Sequence, residues 1–457
     1  MGHLEDSDEW VGMATGYVGC VGFFTGVWLL NKYGERFSLE RSVEAVLLLL
    51  ITLLPMAAWE LPGQLRGGGG GGFTLPREEE WIVGLLRAAE RLLGMAVSFA
   101  ACACGYWLFE EYHSSFMSGL FGVDERIDPP PDTVPYYHNY FRLFRLILRL
   151  SRGVPGLLAL SFTCLYLSQL LVGRSDGFGV LGSWLLSKIY LVDPSPEATP
   201  EALLQHFLGC LARCFYAPLM FGYLCENLSG LHLKPFSDYM AFWRFGTNLA
   251  LSLDVAFATV GYFAASPLLG SHIRSVEGTA AGWVSALACY QPFFHLLTSS
   301  YIDYTRNPPW NEWISGMQIP HAPKKLLLRV YGAAILILQA MFAWCTMSYG
   351  LRYSNLTYRG VVSHGPYFFT KHPAYIVKIL AFALISVPWV DLRKNAGAGR
   401  SVRNVATLAL LALLYVARAA TEEAHLLSVS PEYQLYAATI DERHASWFSF
   451  LFPSAWF

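Results

Sequence analysis

Between residues 360 and 436 the chain gathers groups that apolar sequence seldom carries together. They are Gly365-Pro366-Tyr367, then Lys371-His372-Pro373-Ala374-Tyr375, then Arg418, Glu422, Glu423 and His425, and last Tyr433 and Tyr436. Carboxylates, an imidazole, cations and phenols in one set can hold a polar small molecule by charge and by hydrogen bonds. His372 can also move a proton near neutral pH. Charges set between apolar segments are costly unless they serve a site. Each residue also has a plainer reading. His372-Pro373 suits a helix start, with Pro at the first helical position. Glu422 lies four residues after Arg418, the spacing of an intrahelical ion pair. Tyr433 and Tyr436 suit an interfacial belt.

An apolar hairpin separates the two polar clusters. If both of its helices cross a bilayer, the clusters return to one side and converge on one pocket. The rest of the chain supports that setting. Of 457 residues, 54% are hydrophobic and 14% charged, too little polar surface for a soluble domain of this length. The fold class expected is therefore all-α, a polytopic membrane bundle of about ten transmembrane helices. Candidate spans are 11–30, 43–59, 92–109, 154–173, 202–224, 244–265, 279–300, 326–349, 374–390 and 402–421. The short apolar stretch 178–192, bounded by Gly and Pro, reads as re-entrant or interfacial.

Three regions follow: 1–110, amino-terminal helices with a glycine-rich loop; 111–325, central helices with an interfacial basic helix; and 326–457, which carries the chemistry. Gly67 to Gly72 reads as a flexible loop. After Pro129-Pro130-Pro131, Arg142, Arg145, Arg149 and Arg152 recur at helical spacing among apolar residues, as in a helix lying on a membrane surface. The segment 300–325, rich in Pro, Trp and Tyr, suits a headgroup-level loop. Gly12, Gly16, Gly22 and Gly26 form small-xxx-small pairs that serve packing within the chain or a homodimer. The Cys residues lack paired zinc spacing and read as small core hydrophobes. The acidic start, Glu5 to Glu9, predicts no cleaved leader. With 32 basic and 34 acidic residues there is no general attraction to nucleic acid. Membrane lipids and a lipophilic small molecule are the expected partners.

The order Gly-Pro-Tyr, Lys-His-Pro-x-Tyr, apolar hairpin, Arg, Glu-Glu and spaced tyrosines resembles the isoprenylcysteine carboxyl methyltransferases and the related phospholipid methyltransferases. The likeness covers about 360 to 436, under a fifth of the chain. It implies an S-adenosyl-L-methionine-dependent methyltransferase acting on a membrane-embedded acceptor through a carboxyl, amine or hydroxyl group. By the same likeness Lys371, His372, Arg418 and Glu423 carry the reaction, while Gly365, Pro366, Tyr367, His372, Pro373, Tyr375, Glu422 and Glu423 hold the cofactor, with no metal. Lys371 stands where the family has Arg. A mobile point charge replaces a planar fork, which loosens any bidentate grip on a carboxylate.

The chemistry also follows from the residues. Methyl transfer from a sulfonium needs donor carbon and acceptor held in line in a dry site. Glu422 or Glu423 suits ribose or amino groups, Lys371 and His372 a carboxylate or the acceptor, and Tyr367 and Tyr375 the adenine or sulfonium. Three other readings exist: a membrane sterol-type reductase using NADPH, a metal enzyme built on Glu110-x-x-His113 and Glu422-x-x-His425, and a non-catalytic scaffold. The glutamate pair disfavours the 2′-phosphate of NADPH. The Lys and Arg tally of the loops puts the Lys371 loop outside, whereas cofactor supply puts it in the cytoplasm. The cofactor argument is preferred. An integral multi-pass protein of the endoplasmic reticulum or another internal membrane is expected in a eukaryote, and of the inner membrane in a bacterium.

Overall fold

The computed structural model describes residues 6–37, 41–67, most of 82–104, 176–190, 194–231, 238–295 apart from 292, 309–385 and 398–451. The basic helix 141–152, the proline linker, the span 154–173, most of the Gly67–Gly72 loop and the Glu110/His113 pair lie outside them. The described residues are helical almost throughout. Helices α1 (Asp6–Phe37), α2 (Arg41–Gly67), α3 (82–98), α4 (Gly177–Tyr190), α5 (Pro200–Leu228), α6 (Tyr239–Phe263) and α7 (Ala280–Leu287) come first. They are followed by α8 (Trp310–Ser315), α9 (His321–Tyr349), α10 (Pro373–Ile385), α11 (Ala398–Val429) and α12 (Pro431–Leu451).

Four segments are long and apolar enough to cross a bilayer: Val43–Leu61, Pro200–Leu228, His321–Arg352 and Ser401–Val429. Leu54, Ile337 and Leu413 on three of them are more than 60% exposed, as expected of side chains that meet lipid rather than water. Ala14–Leu30 and Pro373–Ile385 are apolar but shorter. The segment 279–300 does not form one span. Its helix ends at Leu287 and turns at Ala288, ahead of Pro292, which disfavours helix at the residue before it. Trp310 and Ile314 of α8 are buried, with Trp310 stacked on Tyr331, so this part of 300–325 is packed core rather than a headgroup belt. The apolar stretch after Phe178 is a regular helix of 14 residues.

Local sequence explains several boundaries. Asp238 caps α6 by accepting from the Ala241 N–H at 2.9 Å, and Thr279 caps α7 through Gly282 at 3.1 Å; each satisfies an N–H that the helix itself leaves orphaned. Pro373 opens α10. The glycine face of α1 is used inside the chain. A Cβ on Gly22 would meet the Ile51 carbonyl oxygen of α2 at 2.5 Å, and one on Gly16 the Met347 carbonyl oxygen of α9 at 2.3 Å. Cys20 Sγ also lies 3.2 Å from Met347 Sδ. Gly16→Val should therefore destabilise the protein by about 1–3 kcal/mol, the usual cost of overpacking. Gly278→Ala, where an added Cβ meets nothing within 4 Å, should be neutral in the same detergent unfolding assay.

The elements that frame the polar cluster are α6, α7, α9, α10, α11 and α12. Helix α9 packs on α6 and α10, α10 on α11, and α11 on α7 and α12. A two-residue antiparallel pair, β1 (Ser275–Val276) and β2 (Thr357–Tyr358), joins the α6–α7 loop to the chain following α9. The Tyr358 hydroxyl lies 2.8 Å from Ser430 Oγ at the α11–α12 junction. This small pin fixes Asn355, just before β2, among buried side chains.

Candidate functional site

The two ends of the α10–α11 hairpin meet. From the loop before α10, Lys371 Nζ reaches Glu423 Oε1 at 2.6 Å and Asp441 Oδ1 of α12 at 3.0 Å. Burial pushes the Lys371 ammonium down, but its bonds to the two carboxylates outweigh that and hold it above the ordinary lysine value. His372 Nε2 stands 3.5 Å from Glu423 Oε2, and its ring stacks on Tyr375 with centroids 5.5 Å apart. The Tyr375 hydroxyl donates to Glu422. Adjacent carboxylates thus have separate partners: Glu423 faces the Lys371-His372 corner, and Glu422 faces the first turn of α10.

Arg418 does not pair with Glu422, despite the four-residue spacing. Its Nη2 donates to Asn355 Oδ1, and its guanidinium lies 5.3 Å and 5.1 Å from the Tyr290 and Tyr375 ring centroids. Asn355 is set for this task because its side-chain amide donates to the Tyr262 hydroxyl at 2.8 Å and to the Tyr290 hydroxyl at 3.2 Å. A buried guanidinium held by a neutral amide and two rings keeps its full charge for whatever enters beside it.

Most of these groups border a recess of about 570 Å³ counted with its open mouth, of which about 50 Å³ admits the centre of a water-sized molecule. Lys371, His372, Tyr375 and Glu422 line one part, together with Tyr367. Tyr290, Phe342, Thr346, Lys378 and Tyr415 line another, with Arg418 also in the wall. A second cavity of about 390 Å³ shares Arg418 and Glu422 and adds Glu277 and His425. His425 Nε2 is 3.1 Å from Ser275 Oγ, so it serves the second cavity.

The remaining residues singled out in the sequence have backbone and packing roles. Gly365 has φ +61° and lies against Ser348 of α9, in a small crevice with His364 and Trp344 rather than in the main cavity. Pro366 and Tyr367 are buried in the short 3-10 turn that follows. The Tyr436 hydroxyl donates to the Tyr367 carbonyl at 2.8 Å, so α12 clamps this turn. Pro373 is the first residue of α10, and the His372 carbonyl accepts from Ile376 at 3.3 Å. The plain helix-start reading of His-Pro therefore holds together with the placement of the imidazole beside Glu423. Tyr433 is 5% exposed, which removes it from an interfacial belt. Burial pushes the Tyr433 and Tyr436 phenols up, so both remain protonated at neutral pH.

Several residues in this environment did not stand out in the sequence: Asp441, Asn355, Tyr290, Tyr415, Lys378 and Asp254. Lys378 and Asp254 did carry a signal, since each is a lone charge within an apolar stretch. No protein-family model, no curated protein and no solved structure matches the chain.

Proposed function

We propose that the chain is an S-adenosyl-L-methionine-dependent methyltransferase of the isoprenylcysteine carboxyl methyltransferase type, working on a hydrophobic acceptor in a bundle of about ten spans. One observation carries the reading. Lys371, His372 and Tyr375 from one end of an apolar hairpin, and Arg418 and Glu422 from the other, border one cavity, and Glu423 beside it holds Lys371 and approaches His372.

The residues fit the group. Buried His372 Nε2 has no hydrogen-bond partner, only the 3.5 Å approach to Glu423. The adjacent carboxylates face a corner rich in aromatic rings, suited to a cation with hydroxyl and amino donors. When bound, the cofactor would supply an electrophilic methyl carbon to the acceptor's lone pair, with the carbon–sulfur electron pair leaving on sulfur. The protein's part is to orient and to exclude water. Glu422 and Glu423 would receive donors of the cofactor, Lys371 would receive a carboxylate, and the Tyr375 ring would cover the site. An ionised acceptor needs no base. A protonated amine or hydroxyl gives its proton to His372, the one imidazole in the cavity wall among the described residues.

The test is calorimetric titration of the purified full-length protein with S-adenosylhomocysteine. Saturable binding is expected, weakened at least tenfold in Glu423→Ala and His372→Ala while membrane insertion stays normal. A tenfold loss corresponds to about 1.4 kcal/mol, the scale of one charge-assisted hydrogen bond. Absence of binding to the wild type, or unchanged binding in both variants, overturns the reading.

A further inference from the structure

The second cavity shares the Arg418–Glu422 wall with the first but is built from α7, α11 and the strand pin. It measures about 390 Å³ with its mouth, of which about 40 Å³ admits the centre of a water-sized molecule. Glu277 stands in its wall and is only 4% exposed. One carboxylate oxygen, Oε1, accepts the Thr279 N–H at 2.8 Å, which places a negative charge at the positive end of α7. That bond accounts for half of the group. The other oxygen, Oε2, has no hydrogen-bond partner among the described residues, and it opens on the cavity rather than being sealed in the core. A Cβ on Gly282 would stand 2.9 Å from it, so the glycine in this wall leaves the carboxylate its place.

The other polar groups of the wall are engaged within the protein. Thr421 Oγ1 lies 3.0 Å from Ser285 Oγ and donates to the Arg418 carbonyl at 3.0 Å. His425 Nε2 is 3.1 Å from Ser275 Oγ, and Arg418 donates to Asn355. Glu422 spends one oxygen on the Tyr375 hydroxyl. Two carboxylates thus face one guanidinium, an excess of one negative charge with the imidazole neutral, and acceptor capacity is left over. Buried polar groups in folded proteins are nearly always satisfied, and a carboxylate taken from water needs a partner. Among the described residues no aromatic ring lines this cavity, so it lacks the cage that holds quaternary ammonium or sulfonium ions. Recognition falls to N–H donors, and a primary ammonium brings three of them together with one positive charge.

We propose that the second cavity is a receptor for a primary ammonium group, seated between Glu277 and Glu422 and separate from the ligand of the main cavity. The site selects an alkylammonium over its quaternary and neutral counterparts. It does not rest on the methyl-transfer reading. Where that reading holds, the amine is an effector and not the acceptor, because the Arg418–Glu422 wall divides it from His372. Both ligands draw on Glu422, so each weakens the other severalfold without excluding it.

Equilibrium dialysis of the full-length protein in phosphatidylcholine nanodiscs and amine-free buffer, corrected with empty nanodiscs, tests the assignment. The radiolabelled probes are butylamine, octylamine, butyltrimethylammonium and butanol. Saturable binding of butylamine is expected, at least tenfold tighter than butyltrimethylammonium or butanol. Octylamine binding more tightly than butylamine identifies a ligand drawn from the lipid phase, and equal binding identifies a soluble amine. Glu277→Gln keeps the Oε1 acceptor for Thr279, so it should melt with the wild type yet lose butylamine at least tenfold. Absence of saturable butylamine binding, or equal binding of butylamine and butyltrimethylammonium by the wild type, overturns the proposal without recourse to any variant. Butylamine binding unchanged in Glu277→Gln overturns it as well. S-adenosylhomocysteine titrated into the same samples separates the two claims. If it excludes butylamine completely, the two cavities hold one ligand and the separate receptor fails. If the wild type binds butylamine but not the cofactor product, the methyl-transfer reading fails and this site stands.

Discussion

Arg418→Met is expected to weaken S-adenosylhomocysteine binding a hundredfold or more while leaving the fold as stable as the wild type, or more so. Arg418 is 6% exposed and has no carboxylate within ion-pair distance among the described residues. Its compensation is a bond to Asn355 and two ring faces. Desolvating an ion costs several kcal/mol, and exchanging buried charge for an apolar side chain of similar volume is often neutral or stabilising by about 1–4 kcal/mol. Against that stand an unsatisfied Asn355 oxygen, about 1–3 kcal/mol, and two cation–π contacts of about 0.5–2 kcal/mol each. The terms nearly cancel for stability. They do not cancel for binding, because Arg418 borders both cavities and Met offers neither charge nor donors. Chemical unfolding beside calorimetric titration reads both quantities. A large loss of stability with binding intact would show that Arg418 is structural.

Gly365→Val should be the most damaging glycine substitution near the site, costing about 3–4 kcal/mol, at the severe end for single changes. Gly365 has φ +61°, and a Cβ there would stand 2.5 Å from Ser348 Oγ. A β-branched residue pays for the left-handed conformation and then collides with α9. The Ser348 hydroxyl cannot swing aside freely, since it donates to the Trp344 carbonyl at 2.9 Å. Displacement of the turn would also pull the Tyr367 carbonyl from Tyr436, so ligand affinity should fall with the melting temperature. Gly278→Val, in open space, is the control; equal loss in both would remove the geometric explanation.

The hairpin's role was legible because it depends on period and length alone: two apolar helices bring Lys371 to Glu423 and Tyr375 to Glu422 wherever the rest of the chain lies. The partner of Arg418 was not legible. Four-residue spacing pointed to Glu422, but the guanidinium belongs to Asn355, delivered by a two-residue strand pairing across 83 positions, Ser275 with Tyr358. Pairing that short leaves no periodic trace. The aromatic walls were hidden for a related reason. Tyr290, Phe342 and Tyr415 come from three separate elements, and each is an ordinary apolar residue in its own stretch. Span boundaries read from hydropathy failed where backbone chemistry intervened, as ahead of Pro292. Lys378 and Asp254 were readable as solitary charges but not as neighbours, since nothing in either stretch specifies the packing of α10 against α9 and α6.

The seat of α1 has a consequence for biogenesis. One part of its glycine face finds α2 within a few dozen residues, but Gly16 rests on Met347, and the Cys20–Met347 contact spans 327 positions. At synthesis rates of about 5–20 residues per second, α1 waits on the order of tens of seconds after its own synthesis for that partner. During the wait its narrow glycine groove lies open to lipid or to an insertion chaperone. A ribosome stall before α9 would leave α1 packed on α2 but with its Gly16 face uncovered, a natural handle for quality control.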